Sequence, residues 1–203
     1  WTGLKTVADT VECTATSAVD SDQPRILLPA DFELPPQGLG SRWPDDRWGQ
    51  DARILNLRLP AAKAFARANG IDGVTFGSRG ARRLVIVASG KAYGDVRQAL
   101  EQLGIDDAVA STLGIVIYKV GMVWPLEPER IRDVLDGVDE VMVIEERRAV
   151  LEPQIKDLAY NWSADRRPRI FGKTDERGAP LLPESGELSP SIVALALGKR
   201  LGR

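Results

Sequence analysis

Few side chains in this sequence are placed to do chemistry. Ser89-Gly90-Lys91 follows an apolar run and opens a helix-like segment. Backbone N–H groups at a helix start, helped by the Lys91 ammonium, suit a phosphate or a carboxylate. The segment is neither a Walker A loop nor G-x-G-x-x-G. It reads more simply as a tight strand-to-helix turn with an exposed lysine. Glu145 and Glu146 follow another apolar run, where desolvation can raise a carboxyl pKa towards proton-transfer duty. Adjacent residues point to opposite sides, so at most one of the two faces a cleft. The simpler reading is a salt bridge to Arg147, Arg148 or another domain. Met122 and Trp124 make an apolar knob without converging polar groups, the composition of a contact surface. Cys13 has Glu12 beside it, which raises a thiol pKa and points to an inert residue.

Two absences remove whole classes of chemistry. The sequence has no histidine, so imidazole catalysis, Ser-His triads and His-ligated metals are excluded. Its single cysteine cannot hold an iron–sulfur cluster, which needs about four thiolates, nor form an internal disulfide. Cysteine scarcity fits a reducing, cytoplasmic compartment. No catalytic residue and no metal site emerges from the residues themselves.

The elements that must position these groups lie in residues 82–146. Leu84–Ala88, Ile115–Val120 and Val141–Ile144 are short, continuous and rich in β-branched residues. Strands buried on both faces read this way. Ala92–Leu103 and Glu129–Val138 between them carry apolar residues at helical spacing. Strand, helix, strand, helix, strand implies parallel strands joined by right-handed crossovers. Ser89–Lys91, Gly121–Leu126 and Glu145–Arg148 then fall at the carboxyl ends of the strands, where open α/β sheets bind ligands.

The rest of the chain leads into or leans on this sheet. Residues 1–24 begin amphipathic and end small and polar. Pro24, Pro29, Pro35, Pro36 and Pro44 mark an extended connector. Its Trp43 and Trp48 dock either on a neighbouring domain or on this chain's own sheet. Asp45 and Asp46 suit a helix N-terminus. That helix carries Ile54, Leu55, Leu57, Ala61 and Phe65 on its apolar face. Pro60 kinks it or starts a second helix, and Gly70 ends it. Residues 72–80 hold three glycines and read as a hinge. Beyond the third strand come a helix with Leu151, Ile155, Leu158 and Trp162, a short strand Arg169–Phe171, a Gly/Pro-rich loop at 172–188, and a closing helix from Ser189-Pro190. The division is 1–24, 25–77 and 78–203. A chain of 203 residues, 43% hydrophobic and 28% charged with net charge −2, is an ordinary globular balance. It gives no electrostatic reason to expect nucleic acid or an anionic membrane. No apolar run approaches the ~20 residues that span a bilayer. The chain opens at Trp1 without a Met, so it is expected to be part of something longer.

Several stretches together carry a family resemblance. They are W-T-G-L-K-T-V-A-D-T at 1–10, G-L-G-S-R-W-P-D at 38–45, L-P-A-A-K-A-F-A-R-A-N-G-I-D at 59–72, S-G-K-A-Y-G-D-V-R-Q-A-L at 89–100, Y-K-V-G-M-V-W-P-L-E-P at 118–128, V-I-E-E-R-R-A-V-L-E at 143–152 and G-K-T-D-E-R-G-A-P-L-L-P-E-S-G-E-L at 172–188. In that order they resemble the indolepyruvate ferredoxin oxidoreductases in their long single-chain bacterial form.

The resemblance implies a parent enzyme that uses thiamine diphosphate and magnesium to decarboxylate aryl 2-oxo acids. That enzyme passes electrons through iron–sulfur clusters to a ferredoxin-type acceptor and forms an acyl-coenzyme A. A homo-oligomeric parent is expected. Residues from about 78 onward would be like the transketolase C-terminal domain, a Rossmann-like three-layer α/β/α sandwich with a mostly parallel sheet. Residues 1–24 would close the pyrimidine-binding domain, and 25–77 would be its extended and helical arm. The thiamine signature is missing, since neither Gly-Asp-Gly nor Asn-Asn occurs. The chain is then expected to be a structural domain, inactive alone, whose partners are the other domains of the same enzyme. Two alternatives stand beside this. One is a domain that binds an anionic ligand, such as coenzyme A or a nucleotide, at Ser89, Gly90, Lys91 or Glu145. The other is a piece of an oxidoreductase for a non-aromatic 2-oxo acid.

Overall fold

The computed structural model describes residues 14, 16, 25–77 and 81–202. The expectations for 1–24 and for Cys13 lie outside the described residues, Thr14 and Thr16 apart. Three runs of β-branched residues form the centre of a five-stranded sheet. Its strands are β1 (Gly73–Phe76), β2 (Leu84–Ser89), β3 (Ile115–Val120), β4 (Glu140–Ile144) and β5 (Arg169–Phe171), in the order β1-β3-β2-β4-β5. β2 pairs in parallel with both β3 and β4, and β4 with β5; β1 runs antiparallel to β3.

Alternation along the strands sends side chains to two cores. Leu84, Ile86 and Ala88 join Val96, Leu100, Val193 and Leu197 on one face. Val85 and Val87 join Ile131, Leu135, Leu151 and Ile155 on the other. The first face is covered by α3 (Gly90–Gln102), α4 (Asp107–Leu113) and α7 (Pro190–Leu201). The second is covered by α5 (Pro128–Leu135) and α6 (Leu151–Ala159). The result is an α/β/α sandwich on a mostly parallel sheet, as the apolar runs imply.

The arm begins extended at residue 25. It continues as α1 (Arg47–Arg53), a π-helical turn at Ile54–Arg58, and α2 (Leu59–Ala68). Asp46 caps α1 by accepting from the Gly49 N–H at 2.7 Å. Pro60 sits in the first turn of α2, directly after the π-helical turn. Asn69 ties the arm down: its side chain bonds both N–H and C=O of Leu27, at 2.8 and 2.9 Å.

Two local readings change. The stretch read as a hinge holds strand β1, which adds an antiparallel edge to the sheet. Its Val-Thr-Phe core is β-prone, but flanking glycines gave the stretch the look of a turn. Gly77 ends the strand at φ +84, and a Cβ there would lie 2.0 Å from the Ile115 carbonyl oxygen. Helix α4, not anticipated, is capped by Asp106 and closed by Gly114 at φ +71.

Candidate functional site

The strand ends converge as the topology requires. Ala88 pairs with Ile144, so Ser89 and Glu145 leave adjacent strands at the carboxyl edge. The polar groups gathered there are turned inward. Lys91 donates to Asp95 at 3.1 Å and to the Leu188 carbonyl at 2.7 Å, and lies 3.4 Å from Glu187. Burial alone would lower the Lys91 pKa; Asp95 and Glu187 more than offset it and hold it above the ordinary lysine value. Gly90 takes φ +51, and the Ser89 side chain makes no capping bond.

Glu145 is buried, and its carboxylate accepts the N–H groups of Val150, Leu151 and Glu152 at 2.9, 2.9 and 3.1 Å. It therefore caps α6 from the end of β4. No ion pair joins Glu145 or Glu146 to Arg147 or Arg148 among the described residues. Beside Glu145 lies Lys173, a buried cation that the sequence reading passed over. Its ammonium donates to the Glu145 carbonyl at 2.5 Å and the Pro183 carbonyl at 3.0 Å. Burial lowers its pKa, against the pull of Glu145, Glu152, Glu184 and Glu146. Glu152 accepts the Lys173 N–H at 2.9 Å and the Lys156 ammonium at 2.6 Å. Gly172 is required here, because a Cβ would fall 2.5 Å from Glu152 Oε2.

Two further buried carboxylates hold local structure, although Asp72 uses only Oδ1 and its buried Oδ2 has no partner among the described residues. Asp72 accepts the N–H groups of Gly121 and Met122 at 2.7 and 3.1 Å, fixing the loop after β3. Glu127 caps α5 through Glu129 N and Arg130 N and pairs with Arg67 at 2.7 Å. Arg67 also holds Asp31, so one guanidinium joins the arm to the sandwich. Among the described residues, no group of three or more Cys, Asp or Glu is placed to hold a metal ion. Carboxylates spent on amides and on Arg or Lys do not fit a magnesium–diphosphate or an iron–sulfur cluster, so no step through such a group is derived from this chain.

Of the clefts beside the sheet, two bear on the charged groups at the strand ends. One, of about 680 Å³, lies at the amino ends of the strands, between Leu84, Ile115 and Glu140 and the half-exposed Leu103, Val109 and Leu113. Its guanidinium groups are largely consumed: Arg200 pairs with Glu140 and Glu176, and Arg169 with Glu140. The other, of about 550 Å³, lies at the carboxyl edge between Glu146–Val150 and Glu184–Gly186.

The most unusual surface is apolar. Trp43 is 95% exposed and Trp48 68%, with Ile26, Leu27, Leu28, Leu34 and Leu55 open alongside them in the arm. Of the two placements expected for the tryptophans, packing on this chain's own sheet does not occur. α1 and the π-helical turn bury no residue. At the carboxyl edge the Met122–Trp124 knob presents Trp124 at 63% exposure. Among the described residues no helix is long and apolar enough to cross a membrane.

Comparison with known proteins gives consistent matches. The sequence model of a family described as indolepyruvate ferredoxin oxidoreductase middle domain matches residues 77–203. Indolepyruvate oxidoreductase subunit IorA of Thermococcus kodakarensis is 31% identical over 117 residues, 58% of this chain and 16% of that protein. The subunit of the same name from Methanothermobacter marburgensis is 31% identical over 119 residues, 59% of this chain and 17% of that protein. The matched region thus spans about a sixth of the length of these relatives. Among solved structures, a 2-oxoglutarate:ferredoxin oxidoreductase from Magnetococcus marinus aligns with a TM-score of 0.43 at 14% identity, over 74% of this chain and 23% of that one.

Proposed function

The chain belongs to the indolepyruvate ferredoxin oxidoreductase middle-domain family, and from that premise we propose that it is a structural and interface domain of a larger 2-oxo acid oxidoreductase. In this reading the whole enzyme decarboxylates aryl 2-oxo acids such as indolepyruvate oxidatively to an acyl-coenzyme A. Thiamine diphosphate, magnesium and iron–sulfur clusters supply the chemistry from other domains, and a ferredoxin-type acceptor takes the electrons. The enzyme is a cytoplasmic homo-oligomer. Residues 78–203 form the transketolase C-terminal-like body, 25–77 the arm, and 1–24 the end of the preceding domain. Strand β1 is then lent by the arm to the body's sheet.

The observation that carries the proposal is the exposed apolar arm, set beside a carboxyl edge whose Lys91, Lys173 and Glu145 are already spent internally. A domain that holds two thiamine-binding domains in register needs contact surface, and small misplacements of a divided active site are costly. An anionic ligand at Ser89–Lys91 would have to draw Lys91 away from Asp95, Glu187 and the Leu188 carbonyl.

Thermal unfolding with added ligand tests this. A ligand at 100 times its dissociation constant stabilises by about 2.7 kcal/mol. Neither magnesium–thiamine diphosphate nor coenzyme A is expected to shift the melting of this chain. A shift with thiamine diphosphate would overturn the division of labour. A shift with coenzyme A would promote the anionic-ligand reading.

A further inference from the structure

The cations at the carboxyl edge are not equivalent. Lys91 and Lys173 are each held by internal acceptors. Arg147 and Arg148, at the end of β4, are exposed and make no side-chain hydrogen bond or ion pair among the described residues. Arg147 also takes φ +60, and no other non-glycine residue among those described has positive φ. Such a conformation is uncommon for a non-glycine residue, and strain of this kind concentrates at functional sites.

These arginines sit on a surface that is fixed in place. Glu145 clamps one end of the loop 145–150 onto α6. Gln154 clamps the other: its amide donates to the Val150 carbonyl at 2.8 Å and to the Val123 carbonyl at 3.0 Å. Its oxygen accepts the Leu126 N–H at 3.0 Å. One glutamine therefore sets the loop with Arg147, Arg148 and Val150 beside the loop with Trp124. Trp124 is 63% and Val150 45% exposed. An exposed tryptophan, an apolar neighbour and two guanidinium groups with no partner among the described residues, held in place by Glu145 and Gln154, have the composition of a protein-interface anchor. Glu146 and Glu184 line the same cleft as the two arginines, and neither forms an ion pair among the described residues.

We infer that Trp124, Val150, Arg147 and Arg148 form a second docking surface, which receives an acidic face of another domain of the same enzyme. The inference rests on the proposed function, because it requires that larger enzyme. Charge complementarity chooses the occupant: unpaired planar guanidinium groups match carboxylates bidentately. The relatives leave ample polypeptide to supply it, since the matched region is only 16% of their length.

Hydrogen exchange on this chain and on the whole enzyme tests it. Amides of 121–126 and 145–150 are expected to exchange about tenfold or more slower in the whole enzyme. R147E/R148E should return them to the rates of the isolated chain, while R147K/R148K keeps part of the protection. Unchanged melting of the isolated R147E/R148E chain checks its fold. If the arm is protected in the whole enzyme and these loops are not, the inference falls and the proposed function stands. If neither is protected, both fall. Protection of the isolated chain by inorganic pyrophosphate would make this a small-anion site and overturn the inference. Protection that grows with the concentration of the isolated chain would mean a second copy, and would overturn it too.

Discussion

Tyr118 shows what a buried polar atom without a partner does to this fold. Its ring fills the core between the sheet and α5, and its hydroxyl has no hydrogen-bond partner among the described residues. Burial, with Asp72 and Glu127 nearby, pushes the phenol well above the ordinary tyrosine value. The unfolded chain ionises this group at about pH 10 while the folded chain keeps it protonated. Above that pH the unfolded state binds fewer protons, so stability falls as pH rises. Tyr118→Phe is expected to be neutral or stabilising by up to about 1 kcal/mol near pH 7. It should also flatten the alkaline loss in urea unfolding curves. A large destabilisation would mean that the hydroxyl has a partner, and an unchanged alkaline slope would mean that folding does not raise the phenol pKa.

Most of the side chains that organise the carboxyl edge were hidden in the sequence for the same reason. Asp72, Glu127, Glu152 and Lys173 are charged residues whose burial depends on distant partners. Periodicity identifies an apolar stripe but not which charge is drawn beneath it. Glu127 did carry a local signal, because it precedes Pro128 at a helix start. Glu145 was singled out as a group that could do chemistry. The structure assigns it a cap, a role that becomes visible only once β4 and α6 are brought together.

At the scale of elements, Glu145 joins strand to helix. Three amides of the α6 N-terminus point at one carboxylate that is itself shielded from water. Glu145→Ala leaves those donors without an acceptor, at an expected cost of about 2–3 kcal/mol. Urea unfolding measures this, and a loss below about 0.5 kcal/mol would show that water replaces the cap at little cost. The three central strands were legible because each is a continuous apolar run, buried on both faces. Helices α3, α5, α6 and α7 were legible from their apolar spacing. Strand β1 was not, because three residues between glycines carry too little pattern to outweigh turn chemistry. The edge position of β1 is fixed by pairing with β3, a long-range contact that local reading does not contain.

At the scale of the molecule, the two halves differ in how they satisfy their apolar residues. The sandwich buries its own on both faces of the sheet. The arm leaves its tryptophans and many of its large aliphatic residues open, held to the body by Arg67 and the β1 strand. The sequence showed that Trp43 and Trp48 had nothing local to pack on, and the structure removes the sheet as their support. An arm tethered by polar bonds and studded with tryptophans makes sense as a surface that another domain covers.

Hydroxyl-radical footprinting of Trp43 and Trp48, in the isolated chain and in the whole enzyme, addresses that claim most directly. Both indoles are expected to oxidise rapidly in the isolated chain and to be protected in the whole enzyme, where a neighbouring domain covers them. Equal oxidation in the two would mean that the arm has no covering partner, and would contradict the account of this chain as an interface domain.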